Sequence, residues 1–138
     1  MLAFRLLKEK YAHELSGQGA SLSNNRWNSK GTEVIYLAQS RALALAEVLV
    51  HLPLHGMPDP YCLLEIDLPG VINVQRIQPH ELHPKWNEYP HHPSTQIIGD
   101  RFTESMESLV LAVPSAVVPG DYNFLVNPTF ANEAQGWT

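Results

Sequence analysis

From Ala42 to Leu52 the chain is apolar except for one acid, Glu47, and a histidine, His51. Ser40 stands where an N-cap belongs, and Pro53 disfavours helical geometry in the residue before it. The pattern therefore predicts a helix from about Arg41 to Leu52. Apolar residues cover that helix nearly all round, so it is expected to be enclosed by the rest of the domain. An acid alone in such a run is costly to bury unless a cation, a hydrogen-bond network or a proton offsets its desolvation. Such arrangements are over-represented where chemistry happens, so Glu47 is expected to face a cleft or a partner group. The cationic candidate is Arg26, in the run Asn24-Asn25-Arg26-Trp27-Asn28-Ser29.

The elements around this helix predict a mixed chain. The stretch through Tyr11 reads as a strand leading into a short helical piece, Ser16 to Ala20 as a flexible turn, and Val34 to Ala38 as a buried strand. From Tyr61 the sequence alternates, with Cys62, Leu64, Ile66 and Leu68 on one face and Glu65 and Asp67 on the other, the period of a half-buried strand. A second strand follows from Val71 to Ile77. Gln78 to Ser94, rich in His, Pro, Trp and Tyr, has no period and reads as a long loop with one turn of helix, a length that is often functional. Thr95 to Ser105 reads as a helix weakened by Gly99, and Ser108 to Val113 as a strand ending at Pro114. Ser115 to Val118 and Tyr122 to Val126 add short extended pieces, and the tail beyond Pro128 is expected to be partly ordered.

Composition bounds the function. The 138 residues suit one domain spanning 1–138, and a chain of this size buries roughly 68–70% of the surface its unfolded form exposes. The net charge of −5 sets an unfavourable field against any polyanion, which argues against direct nucleic-acid binding. The single cysteine, Cys62, alternates inward with leucines and reads as core packing. No run approaches the length of a membrane span, and Met1 to Lys10 has no apolar core of a secretory signal, so a soluble cytoplasmic protein is expected.

Several spaced motifs carry a family resemblance: Leu15-Ser16-Gly17-Gln18-Gly19-Ala20, Arg26-Trp27-Asn28-Ser29-Lys30-Gly31, Val34-Ile35-Tyr36-Leu37-Ala38, the Ala42–Leu52 run, Thr95-Gln96, Gly99-Asp100, Val113 to Pro119 and Asn127-Pro128. Together they resemble the RES domain, named for an arginine, a glutamate and a serine, letters that fall here on Arg26, Glu47 and Ser115. The resemblance implies a mixed α/β (α+β) fold like that of the ADP-ribosyltransferases, with a central cleft between small sheets and flanking helices. It implies a bacterial toxin that destroys nicotinamide adenine dinucleotide (NAD+), its substrate, with no further cofactor and no metal. It also implies neutralisation by an Xre-type antitoxin with a helix-turn-helix, and a toxin dimer within the larger complex.

Breaking the nicotinamide–ribose bond develops positive charge on the sugar, and a carboxylate beside it stabilises that state. The resemblance gives this role to Glu47; the plainer alternative is a helix acid paired with His51 one turn later. Arg26 has the planar fork that matches phosphate oxygens, or else it stacks on Trp27 or pairs at the surface. Tyr36 is expected to stack on the nicotinamide ring and direct its hydroxyl to the substrate, or to be a core tyrosine. Ser115 is placed to bond a ribose or a carboxamide, or its own turn. Asn123 is a further candidate for orienting substrate, and Asn28 for binding it or bracing the Arg26 loop. The family commonly has two glycines before its arginine, where this chain has Asn24 and Asn25. Asparagine tolerates positive φ, so the turn is expected to survive, with two added side chains where a phosphate would approach.

Competing motifs fail. Gly17-Gln18-Gly19 lacks the third glycine of a dinucleotide fingerprint, and no phosphate-loop lysine motif exists. His80-Glu81-Leu82-His83 is one residue short of the zinc-protease spacing. No Gly-x-Ser-x-Gly elbow is present. Two readings remain: an enzyme acting on NAD+ with water, phosphate or a protein as acceptor, and an interaction module that kept the cleft and lost catalysis.

Overall fold

The computed structural model describes residues 1–12, 16–52, 59–69 and 74–130. Its frame is one six-stranded sheet. The strands are β1 (Leu2–Lys8), β2 (Ile35–Ala38), β3 (Tyr61–Asp67), β4 (Val74–Arg76), β5 (Val110–Pro114) and β6 (Tyr122–Val126), ordered β3-β1-β2-β6-β5-β4. All neighbours are antiparallel except β4 and β5. Among the described residues the helices are α1 (Gln18–Ser21), α2 (Arg41–Leu49) and α3 (Pro93–Ser105), with a further helical stretch at 128–130 and single 3-10 turns at Glu9–Tyr11 and Pro79–Glu81. This is the expected α+β architecture, but the small sheets expected on either side of a cleft are one sheet, because β2 pairs with both β1 and β6, and the cleft lies over its face.

Alternation along the strands divides the core between the two faces of the sheet. Ile35, Leu37, Val110, Ala112, Phe124 and Val126 pack together with Ala3 on one face. On the other face, Leu111, Val113 and Leu125 pack under Trp27, Trp86 and Phe102. Farther along that second face, Phe4 and Ala38 lie under Leu43 and Ala44 of α2. Helix α2 thus covers one end of the face, while α3 and the Arg26 segment cover the other. The gap between them lies over β2 and β6.

Local chemistry explains the helix limits. The Ser40 hydroxyl accepts from Leu43 N at 3.1 Å, capping α2, and the helix closes at Val50, short of the expected Leu52. Pro53 lies outside the described residues. The expectation that this helix is enclosed is overturned: Leu45, Leu49 and Val50 are 43%, 50% and 51% exposed. The helix lies against the sheet on one side only, so its outward stripe has nothing over it among the described residues.

Other expectations shift less. Ser16 to Ala20 leads into and forms most of the short helix α1 rather than a flexible turn, and Ser115 to Val118 bends into a turn instead of extending. The strand expected from Val71 is present from Val74 to Arg76, its first residues lying outside the described ones. Gly99 sits inside α3 for a packing reason: a Cβ built there would stand 1.6 Å from the Trp27 carbonyl oxygen. Only glycine lets the helix approach the Arg26 segment that closely.

Candidate active site

The cleft between α2 and the Arg26 segment has a volume of about 670 Å³. Its floor is the sheet face bearing Phe4, Tyr36, Ala38 and Asn123. One wall is Ala44, Glu47, Val48 and His51 of α2, and the facing wall is Asn24 to Trp27 with Tyr89, Pro90 and His91. Residues far apart in sequence meet here because β2 and β6 are neighbours, with Ala38 opposite Asn123.

Glu47 is half-buried and held from two sides. Its Oε1 accepts from the Ser115 hydroxyl at 2.7 Å and from Asn123 Nδ2 at 2.8 Å. Ser115 Oγ in turn accepts from Val117 N and Val118 N, each at 3.0 Å. A hydroxyl has one proton, and two amide donors on its oxygen direct that proton at Glu47. Both side-chain donors converge on a single carboxylate oxygen; Oε2 has no protein donor among the described residues, and Glu47 lines the cleft. Glu47 is not paired with His51, and Ser115 combines both of its readings, a turn serine whose hydroxyl also serves the acid. Asn123 reaches Glu47 directly.

Arg26 projects from a tight turn closed by Asn25 N donating to Asn28 O at 2.8 Å. Its Nη1 donates to Trp86 O at 2.7 Å and Glu88 O at 3.1 Å, and its guanidinium lies over the Tyr89 ring, 4.7 Å from the centroid. A guanidinium has five N–H donors. With Nη1 used, the Nε–Nη2 edge retains the geometry that matches two oxygens of a phosphate. Arg26 therefore stacks on Tyr89, not on Trp27, which is buried against Trp86.

Tyr36 lines the cleft with its ring, but its hydroxyl donates to Asn28 Oδ1 in a short hydrogen bond. That hydroxyl is thus engaged with the Arg26 segment. Burial pushes the phenol well above its usual range, with the Asp100 charge adding to this, against the opposing effects of a Trp27 backbone hydrogen bond and the Arg26 charge, so it remains protonated. Asn28 is fully buried and donates to Ala20 O at 2.9 Å, Ser29 O at 3.2 Å and Thr32 O at 3.3 Å. It braces the segment and does not line the cleft.

Asn24 and Asn25 are folded back. Asn24 Oδ1 accepts from Lys30 N at 2.8 Å, and Asn25 Nδ2 donates to Ala20 O at 3.0 Å. Neither has positive φ; Met106 is the non-glycine residue that does among those described. The turn needs no glycine here, and the amides are engaged within their own segment.

Three contributors escaped the sequence reading. Gln96 Nε2 donates to Asn25 O at 3.0 Å and lies 2.9 Å from His91 Nε2, tying both sides of the Arg26 wall to α3. Asp100 accepts from Ser29 N at 3.0 Å and from the Ser29 hydroxyl. Tyr89 supports the guanidinium. The motifs Thr95-Gln96 and Gly99-Asp100 carried a signal without a role, and Tyr89 lay in the aperiodic Gln78–Ser94 loop. With one amide hydrogen of Gln96 directed to each partner, His91 accepts through Nε2 and is neutral. Burial, then the Arg26 charge, lowers its pKa in keeping with this.

The chain is an α+β fold whose cleft is lined by an arginine and a glutamate, with a buried serine bonded to the acid from behind. The family model of the RES domain matches residues 2–137, and the chain belongs to that family. It is 36% identical over 119 residues to the Prs ADP-ribosylating toxin of Sphingobium sp. (strain YBL2), covering 85% of this chain and 74% of that protein. It is 36% identical over 129 residues to Toxin Res of Yersinia enterocolitica, covering 93% and 84%. To Toxin Res of Pseudomonas putida it is 38% identical over 117 residues, covering 83% and 78%. These similarities support a toxin.

Proposed function

We propose that this toxin cleaves the nicotinamide–ribose bond of NAD+ in the cleft between α2 and the Arg26 segment. The observation that carries the reading is the fixed carboxylate: Ser115 and Asn123 both donate to Glu47 Oε1, leaving Oε2 for the ribose. As the C–N bond breaks, its electron pair leaves with neutral nicotinamide and positive charge develops on the sugar. A preorganised anion beside that carbon stabilises the transition state more than the ground state. The open edge of Arg26 is suited to the pyrophosphate, and the Tyr36 ring forms part of the floor beneath the nicotinamide half. No separate cofactor is needed, because NAD+ itself supplies the activated bond.

The acceptor for the ADP-ribosyl group is water or phosphate in this reading, which makes the enzyme an NAD+ glycohydrolase or phosphorylase of the cytoplasm. A second reading, transfer to a protein, is favoured by the relative described as a Prs ADP-ribosylating toxin. Against an interaction module that lost catalysis stands the engagement of the Asn24 and Asn25 amides with Lys30 N and Ala20 O, although both residues line the cleft wall. A neutralising Xre-type antitoxin fits the toxin assignment. The exposed apolar stripe of α2, with Leu45 and Leu49, supports a partner, since patches of that kind are commonly covered.

The test is to incubate purified, antitoxin-free protein with NAD+ labelled in the adenosine half, with and without inorganic phosphate. Nicotinamide release with label in ADP-ribose or its 1″-phosphate supports the first reading. Label on a protein band supports the second. No nicotinamide above a buffer control refutes the first reading, and no labelled protein when a bacterial lysate is added as a source of acceptor refutes the second.

A further inference from the structure

Tyr89 is used by nothing so far except as a support for Arg26, yet it is 57% exposed while lining the cleft. It also lines a smaller adjoining groove with Val50, His51, Ala116 and Val117, so it stands on the rim where the cleft opens to solvent. A large aromatic ring left open at such a rim is costly to solvate and offers a flat apolar face. Its backbone neighbourhood is firmly held, because Arg26 Nη1 bonds the carbonyls of Trp86 and Glu88 just before it. Ring and guanidinium therefore form one unit, 4.7 Å apart, with phosphate-binding donors on the guanidinium edge.

We infer that Tyr89 is the stacking platform for the adenine end of the substrate. This rests on the reading of NAD+ as substrate and names a residue that sets its specificity. Two bases flank the pyrophosphate, and the charge on them decides between them. The nicotinamide ring of the oxidised dinucleotide is a cation, so seating it beside the Arg26 guanidinium brings like charges together in a partly dehydrated cleft. Adenine is neutral and stacks favourably on an aromatic face next to a guanidinium. The leaving nicotinamide belongs near Glu47 on the α2 wall, and Tyr89 on the facing wall is left for the other end.

The experiment measures calorimetric affinity for ADP, inorganic pyrophosphate and nicotinamide mononucleotide with wild type, Tyr89→Phe and Tyr89→Leu. Leucine keeps apolar cover on the guanidinium and removes the ring. The expected result is that Tyr89→Leu weakens ADP roughly tenfold or more, changes pyrophosphate and the mononucleotide by less than about twofold, and that Tyr89→Phe binds ADP like wild type. Equal weakening of ADP and pyrophosphate would mean that Tyr89 only steadies Arg26, and would overturn the inference. So would weakening of the mononucleotide alone, or unaltered or absent ADP binding. Binding is read without turnover, so the two claims separate. Tyr89-dependent ADP binding in a protein that releases no nicotinamide removes the cleavage reading alone; release with Tyr89-independent ADP binding removes this one alone.

Discussion

Replacing Ser115 and Asn123 by alanine, singly and together, separates a serine that positions Glu47 from one that itself attacks the substrate. Each side chain donates one hydrogen bond to Glu47 Oε1, at 2.7 and 2.8 Å. A hydrogen bond to a charged group is worth about 1.5–3 kcal/mol, and the partial exposure of Glu47 reduces that to about 1–1.5 kcal/mol here. If the full amount is expressed in the transition state, each single variant loses roughly 5- to 12-fold in kcat with little change in KM. Either donor alone still restrains the carboxylate, so the double variant should lose more than the product of the singles, with a coupling of about 1 kcal/mol. Initial rates of nicotinamide release give kcat and KM, and thermal melts establish that each variant is folded. Ser115→Ala also strips an acceptor from Val117 N and Val118 N, which makes Asn123→Ala the cleaner of the two. The reasoning is refuted if Ser115→Ala costs on the order of 10⁴ in kcat while Asn123→Ala matches wild type. It is equally refuted if neither single nor double replacement slows turnover.

Three further outcomes follow from the same contacts. Gly99→Ala gains helix propensity but forces its Cβ onto the Trp27 carbonyl, so a net loss of about 2–3 kcal/mol is expected, seen as a fall in Tm of roughly 6–12 °C; an unchanged or higher Tm would show that α3 and the Arg26 segment are not locked together. Tyr36→Phe leaves the buried Asn28 Oδ1 without its hydroxyl donor and should cost about 1–3 kcal/mol in chemical denaturation, an expectation that a loss below about 0.5 kcal/mol would contradict. His91 has a folded pKa below its ordinary 6.5, so between those two values the unfolded chain binds more protons than the folded one and stability falls as pH is lowered; the Tm difference between pH 7.5 and 5.5 should shrink in His91→Gln, and an equal or larger difference would rule out this residue as its source.

Legibility in the sequence tracked the range of the interactions. Strands β1, β2, β3, β5 and β6 and helix α3 were readable because alternation, turn residues and the Pro114 stop are local signals. The N-cap of α2 was readable for the same reason. Its enclosure was misjudged, because the apolar content of a helix says how much it can bury but not how many neighbours the topology brings to it. Leu45 and Leu49 face outward since the sheet lies on one side only. Arg26, Glu47 and Ser115 were found through a family resemblance together with the cost of a lone acid in an apolar run. Their partners were not visible, since Asn123 reaches Glu47 across 76 residues of sequence and Arg26 reaches the Trp86 carbonyl across 60. The Tyr36 hydroxyl was assigned to substrate because nothing local indicates that Asn28 lies behind it. Asn24 and Asn25 stand where the family commonly has glycines, yet their backbones need no glycine conformation and their side chains bond Lys30 N and Ala20 O.

The central claim is that Glu47 acts by its negative charge, held in place by Ser115 and Asn123. Glu47→Gln preserves an oxygen that can accept both hydrogen bonds and removes the charge alone. Nicotinamide release from NAD+ by this variant should fall by roughly 10²–10³ or more, with the fold intact and NAD+ binding within about threefold of wild type. Release at the wild-type rate from folded Glu47→Gln protein would contradict the account.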